Sequence, residues 1–201
     1  MIEHLRPTLA LLGGLTLLTG VAYPLAITGI ARIALPGQAE GSLVRVDGTV
    51  VGSRLIGQSF TDPKWFHGRP SATSAADPND ATKTVDAPYD AAASAGSNLG
   101  PLAGKLVERV KGDVAALKRE TGAARVPADA VTTSASGLDP DVSPAYARLQ
   151  AKRVAAARGL STEAVEALVA AKTRGRDLGV LGEPRVNVLE LNLALAGLGA
   201  S

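Results

Sequence analysis

Hydrophobic and polar positions divide the chain into one long apolar stretch and a more mixed remainder. From Pro7 to Ala31 there are 25 consecutive uncharged residues, mostly leucine, alanine, isoleucine, valine, glycine and threonine. A helix of that length measures about 37 Å and covers the roughly 30 Å hydrocarbon core of a bilayer. The pattern therefore predicts a transmembrane helix over residues 7–31, preceded by a short tail of residues 1–6. Pro24 lies inside the span and predicts a kink.

A cleaved signal peptide is the alternative interpretation of this stretch, since Gly37-Gln38-Ala39 offers a small-x-small cleavage site. The apolar region of a signal peptide normally has about 7 to 15 residues, so the length favours an uncleaved anchor. Basic residues are nearly balanced on its two sides and do not fix its orientation.

The predicted span also carries a stripe of small residues, namely Gly13, Thr16 and Gly20. Such a stripe would let a second membrane helix approach closely. Glycine is also common in membrane helices for other reasons, so both interpretations stay open.

Residues 32–201 combine short alternating segments with helical periodicity, which predicts a single α+β domain. In this domain, Asp47-Gly48 separates two β-branched segments between Leu43 and Ile56, a pattern typical of a type I′ hairpin. Residues 71–98 have almost no large apolar side chains and predict a long loop, which is unusual in a compact domain.

Three or four helices are predicted in the rest of the domain. The first follows Pro101 and stops at Gly122, the second runs from Ser143 to Gly159, and the third runs from Ser161 to near Gly175. Between the first two, residues 130–136 predict a short strand. Residues 187–198 alternate like a strand, yet Asn187 and Glu190 form an N-cap pair, so we favour a helix there.

Composition limits the chemistry of this domain. Twenty-one basic and 19 acidic residues give a net charge of +2, too small for the many phosphate contacts of a nucleic-acid binder. The absence of cysteine removes thiol nucleophiles and cysteine-ligated metals. With only His4 and His67, a multi-histidine metal site or a serine-histidine catalytic pair is hard to build. We therefore expect neither an enzyme nor a metal protein.

Motif searches support that expectation. The segment 96–100 only superficially resembles a nucleophile elbow, because Ser97 directly follows the first glycine. Asp139, Asp141 and Ser143 fit the first positions of a calcium loop, but proline and glutamine occupy positions that need glycine and glutamate. Neither a Walker A nor a Rossmann glycine pattern occurs.

Four of the six aromatic residues lie close together in the sequence, which makes them candidate interface anchors. Trp65 and Phe66 are neighbours of Arg69, and aromatic residues with arginine often anchor interfaces. A core role is equally open, because a domain with few aromatics needs them inside. The four residues are Phe60, Trp65, Phe66 and Tyr89.

Several long blocks together resemble the C subunit of the bacterial Kdp potassium-transporting ATPase. These are VGSRLIGQSF (51–60), FHGRPSA (66–72), SAGSNLGP (94–101), the block from TTSASG to ARGL (132–160) and LGEPRVNVLELNLAL (181–195). With the N-terminal span, the resemblance covers essentially the whole chain. One departure is Ala95, where the family more often has a second glycine.

The resemblance implies a non-catalytic subunit of a complex that imports potassium at the expense of ATP. Its partners would be a channel-like potassium-binding subunit, a P-type ATPase subunit and a small single-span subunit, and these would handle ATP and potassium. The family's C subunit is described as a catalytic chaperone that raises the ATP affinity of the ATPase subunit. Its Ser-Gly-Gly-Ser segment corresponds here to residues 94–97, which makes Ser94, Gly96, Ser97 and Asn98 candidate ligand contacts.

The family arrangement implies a cytoplasmic N-terminus and an extracytoplasmic domain in the cell membrane. We hypothesise that the chain assembles and regulates a potassium pump, and that Ser94 to Pro101 is a structural turn and helix start. A stand-alone, membrane-anchored binding protein or enzyme is the alternative. The candidate interface or motif residues are Gly13, Thr16, Gly20, Gln58, Phe60, Trp65, Phe66, Arg69, Asn98, Asp139, Arg185 and Asn187.

Overall fold

The computed structural model describes residues 2–198, and the chain divides into two compact units between residues 53 and 54. Helices and small antiparallel sheets confirm the α+β class with one N-terminal apolar helix. Residue 1 of the predicted tail and residues 199–201 of the predicted domain lie outside the described part.

The first unit begins with a short 3₁₀ turn, Ile2–His4, and one long apolar helix. This helix consists of α1 (Leu5–Leu17), a π-helical turn (Leu18–Ala22) and α2 (Tyr23–Ala34). Pro24 lacks an N–H and its ring crowds the carbonyl four residues earlier, which lies within the π turn. The structure thus has a widened turn next to Pro24, the position at which the sequence predicts a kink. The helix spans 30 residues without a buried side chain and is long and apolar enough to cross a membrane.

A hairpin completes the first unit, after the short helix α3 (Pro36–Ala39). Strands β1 (Leu43–Val46) and β2 (Thr49–Ser53) pair in antiparallel register. Asp47 and Gly48 both have positive φ, at 48° and 79°, as a type I′ turn requires. The predicted Asp-Gly hairpin is confirmed.

The predicted loop over residues 71–98 is wrong in its central part, where the second unit forms another hairpin. Strands β3 (Ser74–Asp77) and β4 (Asp80–Asp86) pair in antiparallel register. The Asp77 carboxylate accepts a hydrogen bond from the Asn79 N–H at 2.8 Å and fixes the turn. The pattern was missed because these strands are polar and mostly exposed, so no apolar alternation marks them.

Helix α4 (Gly104–Thr121) begins three residues after Pro101 and ends, as predicted, at Gly122, whose φ is 70°. The apolar spacing that starts at Leu102 predicts that this residue lies on the buried face of the helix, but Leu102 precedes the helix and is 94% exposed. The predicted strand over residues 130–136 is also wrong. This region forms a 3₁₀ turn, Ala128–Ala130, followed by irregular backbone, because no neighbouring strand pairs with it.

Three further helices follow their predicted caps. Helix α5 (Pro144–Arg158) begins after Ser143, whose Oγ accepts a hydrogen bond from the Tyr146 N–H. Helix α6 (Thr162–Lys172) is capped in the same way by Ser161 and ends three residues before Gly175. The ambiguous C-terminal segment is helix α7 (Val188–Leu198), and the Asn187 side chain caps it by accepting from the Glu190 N–H at 3.1 Å.

The core of the second unit lies between these helices and a small sheet. Its strands β5 (Asp141–Val142), β6 (Thr173–Arg174) and β7 (Arg185–Asn187) are antiparallel, with β7 in the centre. The largest fully buried apolar side chains come from one loop aromatic and from α5, α6, α7 and β7: Phe66, Leu191, Leu195, Val154, Val165, Val169 and Val186. This core contains Phe66, and the candidates Phe60 and Trp65 pack against it.

Candidate functional site

Residues 62–69, here called the anchored segment, are held by side chains instead of a neighbouring strand. The Phe66 N–H donates to Asn192 Oδ1 at 2.8 Å, and Asn192 Nδ2 donates to the Phe66 carbonyl at 3.0 Å. Gln150 makes the same pair of bonds with His67, at 2.8 and 3.0 Å. Two amide side chains thus act as a partner strand for this backbone.

Two arginines of α5 satisfy further carbonyls of the anchored segment. Arg153 Nη1 donates to the carbonyls of Pro63 and Trp65, and Arg158 Nε donates to the Lys64 carbonyl at 2.9 Å. Burial lowers the pKa of Arg153 from its usual value, and the carboxylate of Glu120, 3.2 Å from Arg153 Nε, acts in the opposite direction. The segment is therefore fixed at its backbone, which leaves its outward side chains rigidly placed.

The aromatic candidates divide between core and surface. Phe66 is fully buried, whereas Trp65 is only partly buried and packs against the core from outside. The Arg158 guanidinium lies 4.3 Å from the centre of the Trp65 ring, and the Phe60 ring lies 6.4 Å away in a tilted arrangement. The core interpretation is confirmed for Phe66, while Trp65 and Phe60 keep an accessible edge.

Tyr89 holds the C-terminal end of the anchored segment by hydrogen bonds. Its hydroxyl donates to the Arg69 carbonyl at 2.7 Å, and its N–H donates to Ser71 Oγ at 3.1 Å. The ring lies against Gly57 and Gly68, where an added Cβ would collide with ring atoms. Burial raises the pKa of Tyr89 to about 12, so the phenol stays protonated and keeps donating.

The Arg69 side chain points to a cleft of about 700 Å³ beside the anchored segment. Its Nη1 forms an ion pair with Asp139 Oδ2 at 2.9 Å, and Nη2 approaches the carbonyls of Thr132 and Thr133 at 3.4 Å. The Nε–H is buried and has no hydrogen-bond partner among the described residues. The Leu55 and Ile56 side chains also line the cleft, which therefore combines one cation with an apolar wall.

Arg185 and Asn187 make further polar contacts, through Asp141, next to the ion pair of Arg69 and Asp139. Asn187 Nδ2 donates to Asp141 Oδ1 at 3.1 Å, and Arg185 Nε lies 3.5 Å from Asp141 Oδ2. Burial raises the pKa of Asp141, while these two neighbours lower it. The Asp141 N–H in turn donates to Asp139 Oδ1 at 3.0 Å. The structure thus joins Arg69 and Asp139 to Arg185 and Asn187, three stretches that are distant in sequence.

The segment of Ser94, Gly96, Ser97 and Asn98 lies against the loop at residues 134–137. The Ala95 N–H donates to the Ser136 carbonyl at 2.9 Å, as does Ser94 Oγ at 3.0 Å. A Cβ on Gly96 would lie 2.7 Å from the Ala135 carbonyl oxygen, so glycine is required at this close approach. Asn98 has a φ of 50°, typical of a turn, and is exposed.

Four further candidates remain, one in the second unit and three in the first. Gln58 is half-buried, and Gly13, Thr16 and Gly20 lie on the apolar helix of the first unit. Within residues 2–198 there is no group of three histidines or carboxylates that could hold a metal ion.

Sequence reasoning missed the side chains that anchor residues 62–69. Asn192 and Gln150 are buried amides on otherwise apolar helix faces. A buried amide needs hydrogen-bond partners, so a polar amide at a core position of a helix is the signal that could have identified both residues. The sequence gives no indication of which backbone they bind.

This architecture, a single membrane-length apolar helix with a small α+β unit, is consistent with a single-pass membrane protein. The family model described as "KdpC: K+-transporting ATPase, c chain" matches residues 5–197. The chain therefore belongs to the KdpC family of K+-transporting ATPase subunits, as its sequence blocks indicated.

Curated relatives agree with this assignment along the full length. The chain is 63% identical over 195 residues to the potassium-transporting ATPase KdpC subunit of Methylobacterium nodulans, with 97% of each chain covered. It is 62% identical to the subunit of the same name from Bradyrhizobium diazoefficiens, again with 97% of each chain covered. A third relative, from Methylorubrum extorquens, is 62% identical over 198 residues and 98% of each chain.

Proposed function

We propose that this chain is a non-catalytic subunit of an ATP-driven, high-affinity potassium uptake complex, which it assembles and stabilises. The observation that carries the proposal is the family match over residues 5–197, together with relatives named as subunits of a potassium-transporting ATPase. The polar contacts around Arg69 agree with it, because Arg69, Asp139, Asp141 and Arg185 are engaged with one another in ion pairs and hydrogen bonds.

The partners in this proposal are a channel-like potassium-binding subunit, a P-type ATPase subunit and a small single-span subunit. ATP and potassium are bound by these partners, while residues 7–31 anchor the chain in the lipid bilayer of the cell membrane. The N-terminus is cytoplasmic, and the domain of residues 32–201 lies outside the cytoplasm, where it covers the mouth of the potassium-binding subunit. The stripe of Gly13, Thr16 and Gly20 allows a partner helix to pack closely.

A rigid surface suits such a role, because a preorganised interface loses little conformational entropy on binding. Trp65 and Arg69 project from a backbone that Asn192, Gln150 and Tyr89 hold on both sides. Gln58, Phe60, Asp139 and Arg185 are the further candidates for this surface. Phe66 and Asn187 are buried, so in this proposal they stabilise the surface from the interior and do not contact a partner.

The central experiment compares potassium-stimulated ATPase activity of the complex with and without this chain. If the chain only assembles the complex, leaving it out should lower the amount of active complex. The ATP concentration for half-maximal activity should then stay the same. The family's described chaperone role requires instead that this ATP concentration rise. Full activity at unchanged ATP dependence without the chain contradicts the proposal.

Two simpler measurements test its remaining parts. Purification in mild detergent should recover membrane partners with the chain, whereas a monomer without partners favours the stand-alone alternative. Protease added to intact spheroplasts should digest the domain, and protection would place it in the cytoplasm.

The segment from Ser94 to Pro101 is proposed to be structural, a turn against the loop at residues 134–137. Accordingly, the double substitution Ser97→Ala and Asn98→Ala should leave transport intact wherever assembly is normal. Lost transport with normal assembly would instead assign Ser97 and Asn98 to a ligand or partner contact.

A further inference from the structure

A groove of about 550 Å³ is lined by α4 and α5 of the second unit. Its apolar wall consists of Leu149, Ala156 and Ala157 from α5, and both alanines are exposed. Thr121, at the end of α4, and Lys152 of α5 also line it. The volume lies in the range of sites that bind small molecules. This α4–α5 groove therefore combines an apolar wall with a cation.

Helix α5 carries four cations and no carboxylate. Two of the cations serve the fold, because Arg153 and Arg158 donate to carbonyls of the anchored segment. Arg148 and Lys152 are exposed, and within residues 2–198 their side chains form no ion pair or hydrogen bond. The fold therefore accounts for only half of the positive charge on α5.

The two free cations of α5 do not stabilise the isolated chain. Arg148 and Lys152 are four positions apart, so they lie on the same face of the helix, one turn apart, and repel each other. Helix α6, by contrast, combines Glu163 and Glu166 with Lys172. Uncompensated charge of one sign beside a groove favours a ligand of the opposite sign.

Further cations lie at the end of α4. Lys118 and Arg119 are exposed and directly precede two residues that line the groove, Glu120 and Thr121. The helix dipole favours cations in this last turn, yet neither has an ion-pair partner among the described side chains. The Glu120 carboxylate is paired with Arg153 Nε at 3.2 Å. The four uncompensated cations, here called the basic rim, are Lys118, Arg119, Arg148 and Lys152.

We propose that the α4–α5 groove and its basic rim bind an anionic phospholipid of the bilayer surface. The phosphate lies at the basic rim, and acyl carbons lie against Leu149, Ala156 and Ala157. Such a lipid joins a phosphate and apolar chains in one molecule, so it matches both parts of the site, and basic clusters near a membrane attract anionic lipids. The inference rests on the membrane anchor of the proposed function and not on the identity of the transport partners.

Two observations favour a lipid over an acidic protein surface. The second unit begins 20 positions after the apolar helix ends at Ala34, so a tether of about 70 Å or less keeps it near the lipid headgroups and raises their effective concentration. The cations of the basic rim are also long, exposed side chains that no hydrogen bond holds in place among the described residues. Such side chains can follow mobile headgroups, whereas a protein interface gains affinity from groups fixed in advance.

The first test titrates the full chain in mild detergent with phosphatidylglycerol or phosphatidylcholine and follows lipid binding by native mass spectrometry. Wild type should prefer phosphatidylglycerol, and Arg148→Ala combined with Lys152→Ala should weaken its binding about tenfold or more. Lys105→Ala combined with Lys111→Ala is the matched control, because it removes the same charge from exposed positions of α4. The control should bind like wild type.

No preference of wild type for phosphatidylglycerol, unchanged binding by the α5 double variant, or an equal loss in the control overturns the inference. Thermal unfolding separates lost binding from lost folding. The α5 double variant should unfold at or above the wild-type midpoint, because it removes a repulsion between like charges.

Glycerophosphate, a headgroup without acyl chains, tests the apolar wall of the groove. Added phosphatidylglycerol should displace a labelled phosphatidylglycerol from the chain, whereas glycerophosphate at the same concentration should not. Equal displacement by the two would reduce the site to simple anion binding and overturn the role of Leu149, Ala156 and Ala157.

A photoreactive amino acid in place of Ala156 identifies the occupant in native membranes. A lipid adduct is expected. A crosslink to another polypeptide of the complex or to a second copy of this chain, or no adduct, contradicts the proposal.

The inference and the proposed function fail in different ways. Complete ATPase activity without the chain defeats the proposed function. Loss of activity without the chain, combined with equal lipid binding by wild type and the α5 double variant, defeats only the inference.

Discussion

Asn192 binds both backbone polar groups of Phe66, a residue 126 positions earlier in the chain, through hydrogen bonds of 2.8 and 3.0 Å. The Phe66 ring is fully buried, and Asn192 itself is 3% exposed. The amide therefore satisfies both backbone polar groups of a buried residue that has no strand beside it, and it fixes the ring in the core.

The first prediction is that Asn192→Ala destabilises the protein strongly. It leaves the Phe66 N–H and carbonyl unpaired in the interior, at about 1–3 kcal/mol for each group. Urea unfolding of the detergent-solubilised chain measures the loss. Lys152→Ala, an exposed change on α5, should stay within about 0.5 kcal/mol of wild type. Similar stabilities for the two variants would show that water replaces the amide.

A second prediction concerns the contact between Tyr89 and Gly57. A Cβ at position 57 would lie 2.5 Å from Tyr89 Cε1 and 2.6 Å from the Asp139 carbonyl oxygen, and that backbone oxygen cannot easily move. Gly57→Ala should therefore cost about 1–3 kcal/mol by overpacking.

Gly112→Ala provides the matched control for this change. Gly112 lies within α4, and within residues 2–198 no atom outside the helix lies within 4 Å of an added Cβ. Alanine favours a helix over glycine by about 1 kcal/mol, so this variant should be more stable than wild type. The two thermal midpoints should move in opposite directions, and a shared direction would contradict the steric argument.

The third prediction is a pH dependence at His67. Burial, followed by the nearby charge of Arg153, lowers the pKa of His67 below its usual 6.5. The unfolded chain then binds a proton more readily than the folded one, so the free energy of unfolding decreases as the pH falls below 6.5.

Unfolding of wild type and His67→Gln at about pH 7.5 and about pH 5.5 checks this sign. Wild type should lose more stability than the variant on acidification. Equal losses would mean that other groups control this range.

A fourth prediction compares two serine caps. Ser143 Oγ accepts from the Tyr146 N–H, while its own N–H and hydroxyl donate to the Asp129 carboxylate at 2.7 and 2.9 Å. Ser161 caps α6 through the Ala164 N–H. Ser161→Ala should cost about 1 kcal/mol, and Ser143→Ala should cost more because Asp129 also loses a partner. Thermal unfolding ranks the two variants, and the reverse order would contradict the role given to Asp129.

Local signals predicted those parts of the fold that depend on neighbouring residues. Asp47-Gly48 marked the first hairpin, Ser143 and Ser161 marked two helix starts, and Gly122 marked a helix end, because each acts within a few residues. The β3–β4 hairpin escaped prediction because its strands are polar. Residues 130–136 have the composition of a strand but no strand to pair with, and composition alone cannot supply one.

The sequence allowed several residues of the candidate site to be predicted, but it did not allow the contacts between them to be predicted. Arg69, Asp139, Arg185 and Asn187 were singled out one by one, and the structure links them through Asp141. The contacts that fix residues 62–69 come from Gln150 and Asn192, about 80 to 130 positions away. No periodicity or cap signal reaches across that separation, because these bonds exist only after the helices have packed.

The anchoring of residues 62–69 sets how this protein can change in length during evolution. A residue inserted in this segment would shift the backbone groups to which Asn192, Gln150 and Arg158 are hydrogen-bonded. Several hydrogen bonds would therefore be lost together. Among the described side chains of β3 and β4, no such attachment to the core helices occurs, so the hairpin can grow or shrink in pairs of residues without turning a side chain to the wrong face. Length variation among homologous chains should therefore concentrate at the hairpin and spare the segment from Asp62 to Arg69.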